Sequence, residues 1–580
     1  MSIDSAESGL DLLQAARCED LLYDDIKRLT VRGDFENRVI LTLTQSGAHL
    51  LEGARGVGKS MLLRSAEIEL DSKFAQDRKL AVYVNFKTST LLEGVKAGER
   101  DGFQLWVNAK ILQSLHEKLR FLDLIRNSND NDPYQRIFGI KSVEKTGDFL
   151  NEKIHLLQRL AFASNKENVL KDIGPEFLDR VLDTGFLVEL IKSVIDDFCL
   201  SRVTFLFDEA AHTFIPAQQE IFFEIFKLLH GERIACKAAV YPSVTSYGRN
   251  FEVGQDAIPI PMDRFEPGEH GRAARRLQFR SMIELRLPHG QVRKQVFQRG
   301  EMLDLCIELS TGNPRAFLHL LNRALDDGFS ERAVTLAAQE FVDKELLPYH
   351  DNLAKRLPKF AAHVRKGLEL LRGYMIPEIK KKNFRETKSG YQSAFFTVPR
   401  DISPNLKLAL DVLSYSGILV PKGTVKIAGR ETGIRYMIHL ALLAAEKAFS
   451  DQKLNEAFRK LSLTDYREFS SSDPQIDQYL ESLRVAGEHC VNCSAAVQPN
   501  SKFCSECGSR IEVQAMIGAL LDEPISALSI SSRLRDRIKN EFPRVGDLVQ
   551  ATRDEIMQIK YIKEVRSRII KNAADEFISG

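Results

Sequence analysis

The run LLEGARGVGKSML at residues 50–62 constrains this chain more than any other stretch. Within it Gly53, Gly58, Lys59 and Ser60 stand in the order G-x-x-x-x-G-K-S, after the apolar AHLLE and before KSMLLRSAEIEL, which has helical spacing. A strand that turns through glycines into a helix is the pattern of a phosphate cradle. Glycine lets successive amides point at one anion, and the helix N-terminus adds partial positive charge. The expected phosphate-binding set is Gly53, Ala54, Arg55, Gly56, Val57, Gly58, Lys59, Ser60 and Met61, with Lys59 on the terminal phosphates and the Ser60 hydroxyl on Mg²⁺. A glycine-rich turn that binds nothing is the alternative, and the flanking strand and helix argue against it.

Such a cradle works with a second strand that carries acids. VTFLFDEA at 203 ends an apolar run in Asp208 and Glu209, which places both at a carboxyl edge, where open α/β sheets bind ligands. Asp208 is expected in the magnesium shell and Glu209 beside the attacking water. A third element is STGNPRAFLHLL at 310. Asn313 suits a helix N-cap and Pro314 the first helical position, so Arg315 falls in the first turn. A cation there opposes the helix dipole; a terminal phosphate nearby would account for it, and a surface arginine paired with a carboxylate is the alternative.

At 580 residues the chain is long for one core, so several domains are expected. Residues 1–345 alternate short apolar strands (AHLLE, LAVYVNF, RVTFLF, ACKAAVY, AIPIPM) with amphipathic helices, the pattern of an α/β layer with a mainly parallel sheet. A long helical interval from about 103 to 200 is inserted into it. Residues 346–450 read as helices followed by a β ribbon, ILVPKG against GIRYMIHL, an order that suits a winged-helix module. Residues 451–486 read as a polar, partly helical linker. With 81 basic residues against 80 acidic, the chain is not coated in positive charge, although local patches remain open. Apolar runs stop short of the ~20 residues that cross a bilayer, and MSIDSAESGL has neither a basic flank nor an apolar segment, so no membrane partner and a cytoplasmic location are expected.

Four of the 8 cysteines cluster at 487–513: Cys490 and Cys493, then Cys504 and Cys507, two C-x-x-C pairs ten residues apart. Two such knuckles complete a tetrahedral, closed Zn²⁺ site, which is structural and not catalytic. This segment resembles the small zinc-ribbon family.

Taken together, the cradle, the D-E strand, the polar PSVTS after the next strand and the helix opening GNPR resemble the AAA+ ATPases of the origin-recognition and STAND group, over roughly residues 20–450. The resemblance implies a P-loop core with a helical lid, ATP and Mg²⁺ as ligands, slow hydrolysis, and a nucleotide-dependent change of shape or assembly. Lys59, Asp208, Glu209 and Arg315 are then its catalytic set. Ser243 or Thr245 falls at the sensor 1 position, and Arg249 and Arg264 lie where an arginine finger would.

Residues 514–580 resemble the C-terminal domain of the bacterial RNA polymerase alpha subunit, on LSISSR, VGDLVQAT and the helix after them. That implies a compact all-α fold, related to helix-hairpin-helix domains, that binds the DNA minor groove and also contacts regulators, with Arg533 at the family's main DNA-contacting position; a protein-docking role for this tail is the alternative. Asp536 replaces a family asparagine and Lys563 the hairpin glycine. Arg533, Arg535, Arg537, Lys560, Lys563, Arg566 and Arg568 supply positive charge there, and IPEIKKKNFRETKSG at 376 is a second basic stretch. The functional expectation is an ATP-driven switch on or near nucleic acid. A signalling scaffold of the STAND type, whose modules recognise protein partners or further copies of the chain, is the alternative.

Overall fold

Strands buried on both faces should be mostly apolar, and the core sheet follows this in its inner strands. Its strands are β1 (Ala48–Glu52), β2 (Lys79–Asn85), β3 (Arg202–Asp208), β4 (Ile234–Val240) and β5 (Ile258–Pro261). All pairings are parallel and the order is β2-β3-β4-β1-β5. Every residue of β4 is buried, as a central strand requires. The computed structural model describes residues 13, 15, 17–87, 96–97, 100–126, 133–140, 142–160, 166–209, 216–241, 244–357, 360–385, 390–427, 432–451, 453–470, 472–485, 506–507 and 520–579.

Two apolar layers cover the sheet. Helices α1 (Asp34–Thr44) and α2 (Lys59–Ser72) bury Leu43, Leu62, Leu63 and Ala66 against Leu51, Leu206 and Ala239. The other face packs on the inserted helices, among them α3 (Gly102–Phe121), α4 (Val143–Arg159) and α5 (Thr184–Asp197), together with α6 (Pro216–Leu229). Trp106 and Tyr134 are fully buried in that layer, and the expectation of a helical insertion between β2 and β3 holds for its described residues.

The lid comprises α7 (Glu269–Arg286), α8 (Gly300–Leu309), α9 (Pro314–Asp326) and α10 (Glu331–Phe341). It shares one apolar core with the next unit, so the boundary expected at 345 is not a break in packing. That unit holds α11 (Ala361–Leu370), β6 (Phe395–Pro399), α12 (Pro404–Tyr415), β7 (Leu419–Lys426) and β8 (Thr432–Ile438). The ribbon read from ILVPKG and GIRYMIHL forms as β7 against β8, antiparallel, with β6 on the far side of β8.

The stretch expected as a linker departs from that reading. Strand β9 (Tyr466–Glu468) joins β6 in parallel, and α13 (Pro474–Val485) packs on α11. The cause is apolar: Ala457, Phe458, Leu461, Phe469, Ile476 and Tyr479 are buried in the shared core, spread thinly through a polar sequence.

The C-terminal residues form a small helical unit that includes α14 (Ser532–Ile538) and ends in α15 (Glu564–Ser579). It does not stand apart. Ile569, Ile570, Ala573 and Phe577 share a core with Leu21, Ile26, Leu29 and Ile68, which joins the chain's last helix to the segment just before the sheet. Of the expected zinc ligands, Cys490, Cys493 and Cys504 lie outside the described residues, and Cys507 is described and exposed. Among the described residues no helix is long and apolar enough to cross a membrane.

Candidate functional site

The cradle forms where the sequence puts it. β1 ends at Glu52, and α2 begins at Lys59 with Gly58 as its cap. Gly56 and Gly58 have φ of +83° and +95°, a region open to glycine and costly for other residues. Gly56 also admits close approach: a Cβ there would lie 2.6 Å from the Asn313 side chain and 2.9 Å from Arg315. The lid helix α9 therefore sits directly on the loop. Asn313 caps it by accepting from the amides of Arg315 and Ala316, and its own Nδ2 donates to the Arg55 carbonyl at 2.7 Å. The helix cap and the loop contact are hydrogen bonds of one side chain.

Because β4 lies between β1 and β3, the residue leaving β4 must fall between the cradle and the acids. That residue is Tyr241, buried. Its ring centroid is 4.0 Å from Lys59 Nζ, and its hydroxyl donates to Glu209 Oε2 at 2.9 Å. Lys59 Nζ also donates to the carbonyls of Gly53 at 2.6 Å and Ala54 at 3.1 Å. Burial pulls the Lys59 ammonium down to about 8, against the attraction of Glu209 and Asp208.

Asp208 closes β3, fully buried. Tyr83 donates to its Oδ2 at 2.6 Å, and the Glu209 amide to its Oδ1 at 3.0 Å. Burial, reinforced by the neighbouring Glu209, pushes the Asp208 carboxyl up to about 7, while hydrogen bonds from Tyr83 and Ser60 pull the other way. A hydroxyl and a carboxylate in contact form an all-oxygen donor pair, which fits a hard divalent cation such as Mg²⁺. Glu209 has φ of +55°, and Thr311, in the turn before α9, has the same value. Both functional turns thus hold a non-glycine residue in strained backbone.

One cavity gathers these groups: it is lined by residues 55–62, Asp208, Glu209, Tyr241 and Arg315, with Leu29, Val31, Met282 and Leu318 as an apolar part. All four expected catalytic residues, Lys59, Asp208, Glu209 and Arg315, border it. Sequence reasoning missed Tyr241, which looks like the last apolar residue of ACKAAVY, and Arg17, which borders the same cavity from the N-terminal segment. It also missed Glu576. Arg315 Nη1 donates to Glu576 Oε1 at 3.0 Å and Arg55 Nη2 to the same oxygen at 2.5 Å, while Arg17 Nε pairs with Oε2. The cation opposing the α9 dipole has an anion, and that anion belongs to the last helix of the chain. Nothing local in the sequence signals a pairing across 261 residues.

Of the other expected residues, Arg264 borders the same cavity, and the rest of those described lie outside it. Thr245 caps its own turn, donating to the Tyr241 carbonyl at 2.7 Å, and Ser243 lies outside the described residues. Arg264 pairs within the chain with Glu36 at 2.7 Å and stacks on Phe35, so it is unsuited to reach a neighbouring molecule; Arg249 is exposed. On the tail, Arg533 is exposed, 3.9 Å from Asp326 of the lid. Arg568 is buried and donates to the Asp20 carbonyl at 3.1 Å, and Arg535 donates to the carbonyls of Leu528 and Ile530. In the second basic stretch, Lys381 pairs with Glu378 and Lys382 with Asp465.

Residues 489–511 match the family model of a zinc-ribbon domain, the segment that holds all four clustered cysteines. No curated protein matches the chain. Among solved structures, the chain is similar to the Orc1 protein of Aeropyrum pernix in complex with DNA, at 14% identity and a TM-score of 0.28, over 72% of this chain and 91% of that one. It is also similar to the Aeropyrum pernix Orc2 protein in ADPNP and ADP complexes, at 12% identity and a TM-score of 0.29, over 72% and 94%. At such scores these likenesses carry no argument about the site.

Proposed function

We propose that the chain is an ATP-binding and ATP-hydrolysing switch of the AAA+ type that acts on or near nucleic acid. One observation carries the reading: the glycine cradle with Lys59, the acids Asp208 and Glu209, and the lid arginine Arg315 border a single cavity, although three separate stretches of sequence supply them. The apolar lining from Leu29, Val31, Met282 and Leu318 suits the faces of an adenine ring, and the loop amides suit its phosphates.

In this reading Lys59 neutralises the terminal phosphates, and Ser60 and Asp208 would hold Mg²⁺, which would supply positive charge for the phosphate oxygens. Glu209 orients and polarises the attacking water. Tyr241 fixes the Glu209 carboxylate through its hydroxyl, so the base is held before substrate arrives. Arg315 brings the lid to the same phosphates, and a ligand that touches core and lid together favours one arrangement of the two over another. The four cysteines Cys490, Cys493, Cys504 and Cys507 hold one structural Zn²⁺ in a ribbon whose contact is DNA or protein.

A second reading, a signalling switch of the STAND type whose appended modules bind protein, draws on the tail. Arg568 and Arg535, two of the seven basic residues singled out on it, are committed to carbonyls inside the chain, which weakens the phosphate-binding face. The discriminating experiment is ATP hydrolysis measured with and without single- and double-stranded DNA over a series of salt concentrations. DNA stimulation that fades with salt supports the first reading. Hydrolysis indifferent to DNA at every salt concentration overturns it in favour of the second.

A further inference from the structure

We infer that the Glu576 carboxylate and the terminal phosphate of a nucleoside triphosphate are alternative occupants of one guanidinium cluster, so that triphosphate binding releases the last helix of the chain from the ATPase core. The inference rests on the nucleotide reading of the cavity and adds its regulation.

The cluster is Arg17, Arg55 and Arg315. Each borders the cavity that holds the cradle and the acids, and each also borders the adjoining cavity that contains Glu576. They come from the N-terminal segment, the phosphate loop and the lid, and all three meet on the two oxygens of one carboxylate. Glu576 is largely buried, with a side chain 12% exposed, so few other partners are within its reach. Three guanidiniums against one carboxylate leave positive charge over. Asp20, beside Arg17, offsets part of it. A terminal phosphate brings about two negative charges and three acceptor oxygens, a closer match to three planar donors than a single carboxylate.

The exchange must move more than one side chain. If the arginines turn to phosphate, Glu576 is left buried and unpaired, an arrangement that costs several kcal/mol and is relieved when the helix lifts. Other contacts also hold α15, among them that of Arg568 with the Asp20 carbonyl at 3.1 Å. Asn572 donates to Asp20 Oδ1 at 2.8 Å, Lys87 donates to the Asn572 carbonyl at 3.2 Å, and Ile569, Ala573 and Phe577 pack on Leu21, Ile26 and Leu29. The docked helix thus marks the core without triphosphate. A diphosphate lacks the group that competes and leaves the helix in place. The output is exposure of the tail, including the face that carries Arg568, only when a triphosphate is held.

The test uses the full chain and its Glu576→Gln variant, with Mg²⁺ and either a non-hydrolysable ATP analogue or ADP. Calorimetry gives affinities, and hydrogen exchange of the 564–579 peptide in the unaltered protein reports release without any substitution. The expected result is an analogue affinity about tenfold higher in the variant, with ADP affinity unchanged, a coupling of ordinary size. In the unaltered protein the analogue, and not ADP, raises exchange in 564–579. Equal analogue affinity in the two proteins, or exchange that does not respond to the analogue, overturns the inference and leaves the nucleotide reading standing. Failure of both proteins to take up either nucleotide overturns both.

Discussion

The hydroxyl of Tyr241 lies 2.9 Å from Glu209 Oε2, while its ring lies against the Lys59 ammonium. One side chain therefore touches the expected base and the expected phosphate ligand at once. Replacing Tyr241 with Phe keeps the ring under Lys59 and removes the hydrogen bond that aims the carboxylate. Hydrolysis is expected to fall about tenfold to a hundredfold, with nucleotide affinity little changed. A parallel loss of affinity, read by calorimetry beside steady-state turnover, would assign Tyr241 to binding instead.

Gly56 tests the seam between loop and lid. Alanine there adopts φ near +83° at a cost and drives its Cβ into Asn313 and Arg315. The expected loss is about 1–3 kcal/mol of stability, together with a loosened lid, measured by denaturant titration and by protease sensitivity of the Pro314–Asp326 helix. An unchanged midpoint and an equally resistant lid would mean that loop and lid are not packed as described.

The ion cluster makes a prediction in pH. Burial alone would push the Glu576 carboxyl up, but Arg17, Arg55 and Arg315 together, with Lys87 nearby, hold it well below its ordinary value. A carboxylate lowered in the folded protein contributes stability that is fully present above its unfolded pKa of about 4.3 and is lost as pH falls through the lowered value. Asp20, pushed up by its burial, is present in both proteins. The stability difference between the unaltered protein and Glu576→Gln, up to about 3 kcal/mol, should hold steady from pH 7 to 5 and shrink only below about pH 4. A difference that disappears already between pH 7 and 5 would exclude a charged, arginine-held Glu576.

Much of this architecture was legible in the sequence, and the reason is local. The cradle, the D-E strand and the Asn313-Pro314 helix start each declare themselves within a dozen residues, because backbone geometry and capping are short-range demands. All five core strands were read from apolar runs, β5 among them although it lies exposed at the edge of the sheet. The missed parts are those that tertiary packing selects. Tyr241 is recognisable only once β4 is known to lie between β1 and β3, and Glu576 only once α15 is known to dock beside the loop. The linker reading of 451–486 failed for the same reason. Six buried residues, Ala457, Phe458, Leu461, Phe469, Ile476 and Tyr479, fix a largely polar segment against an existing core.

The zinc assignment stands on spacing and on the ribbon match at 489–511. Elemental analysis of purified protein should give one zinc per chain, and Cys490→Ser should release it, because three thiolates hold the ion far less tightly than four. Stoichiometric zinc retained by that variant would move the metal elsewhere.

The most direct test of the central claim is calorimetric titration of the full chain with ATP in the presence of Mg²⁺, run beside Lys59→Ala and Glu209→Gln. The account predicts one nucleotide per chain, affinity lowered about a hundredfold or more in Lys59→Ala, and affinity kept but turnover removed in Glu209→Gln. No uptake by the unaltered protein, or uptake and hydrolysis indifferent to both substitutions, would contradict it.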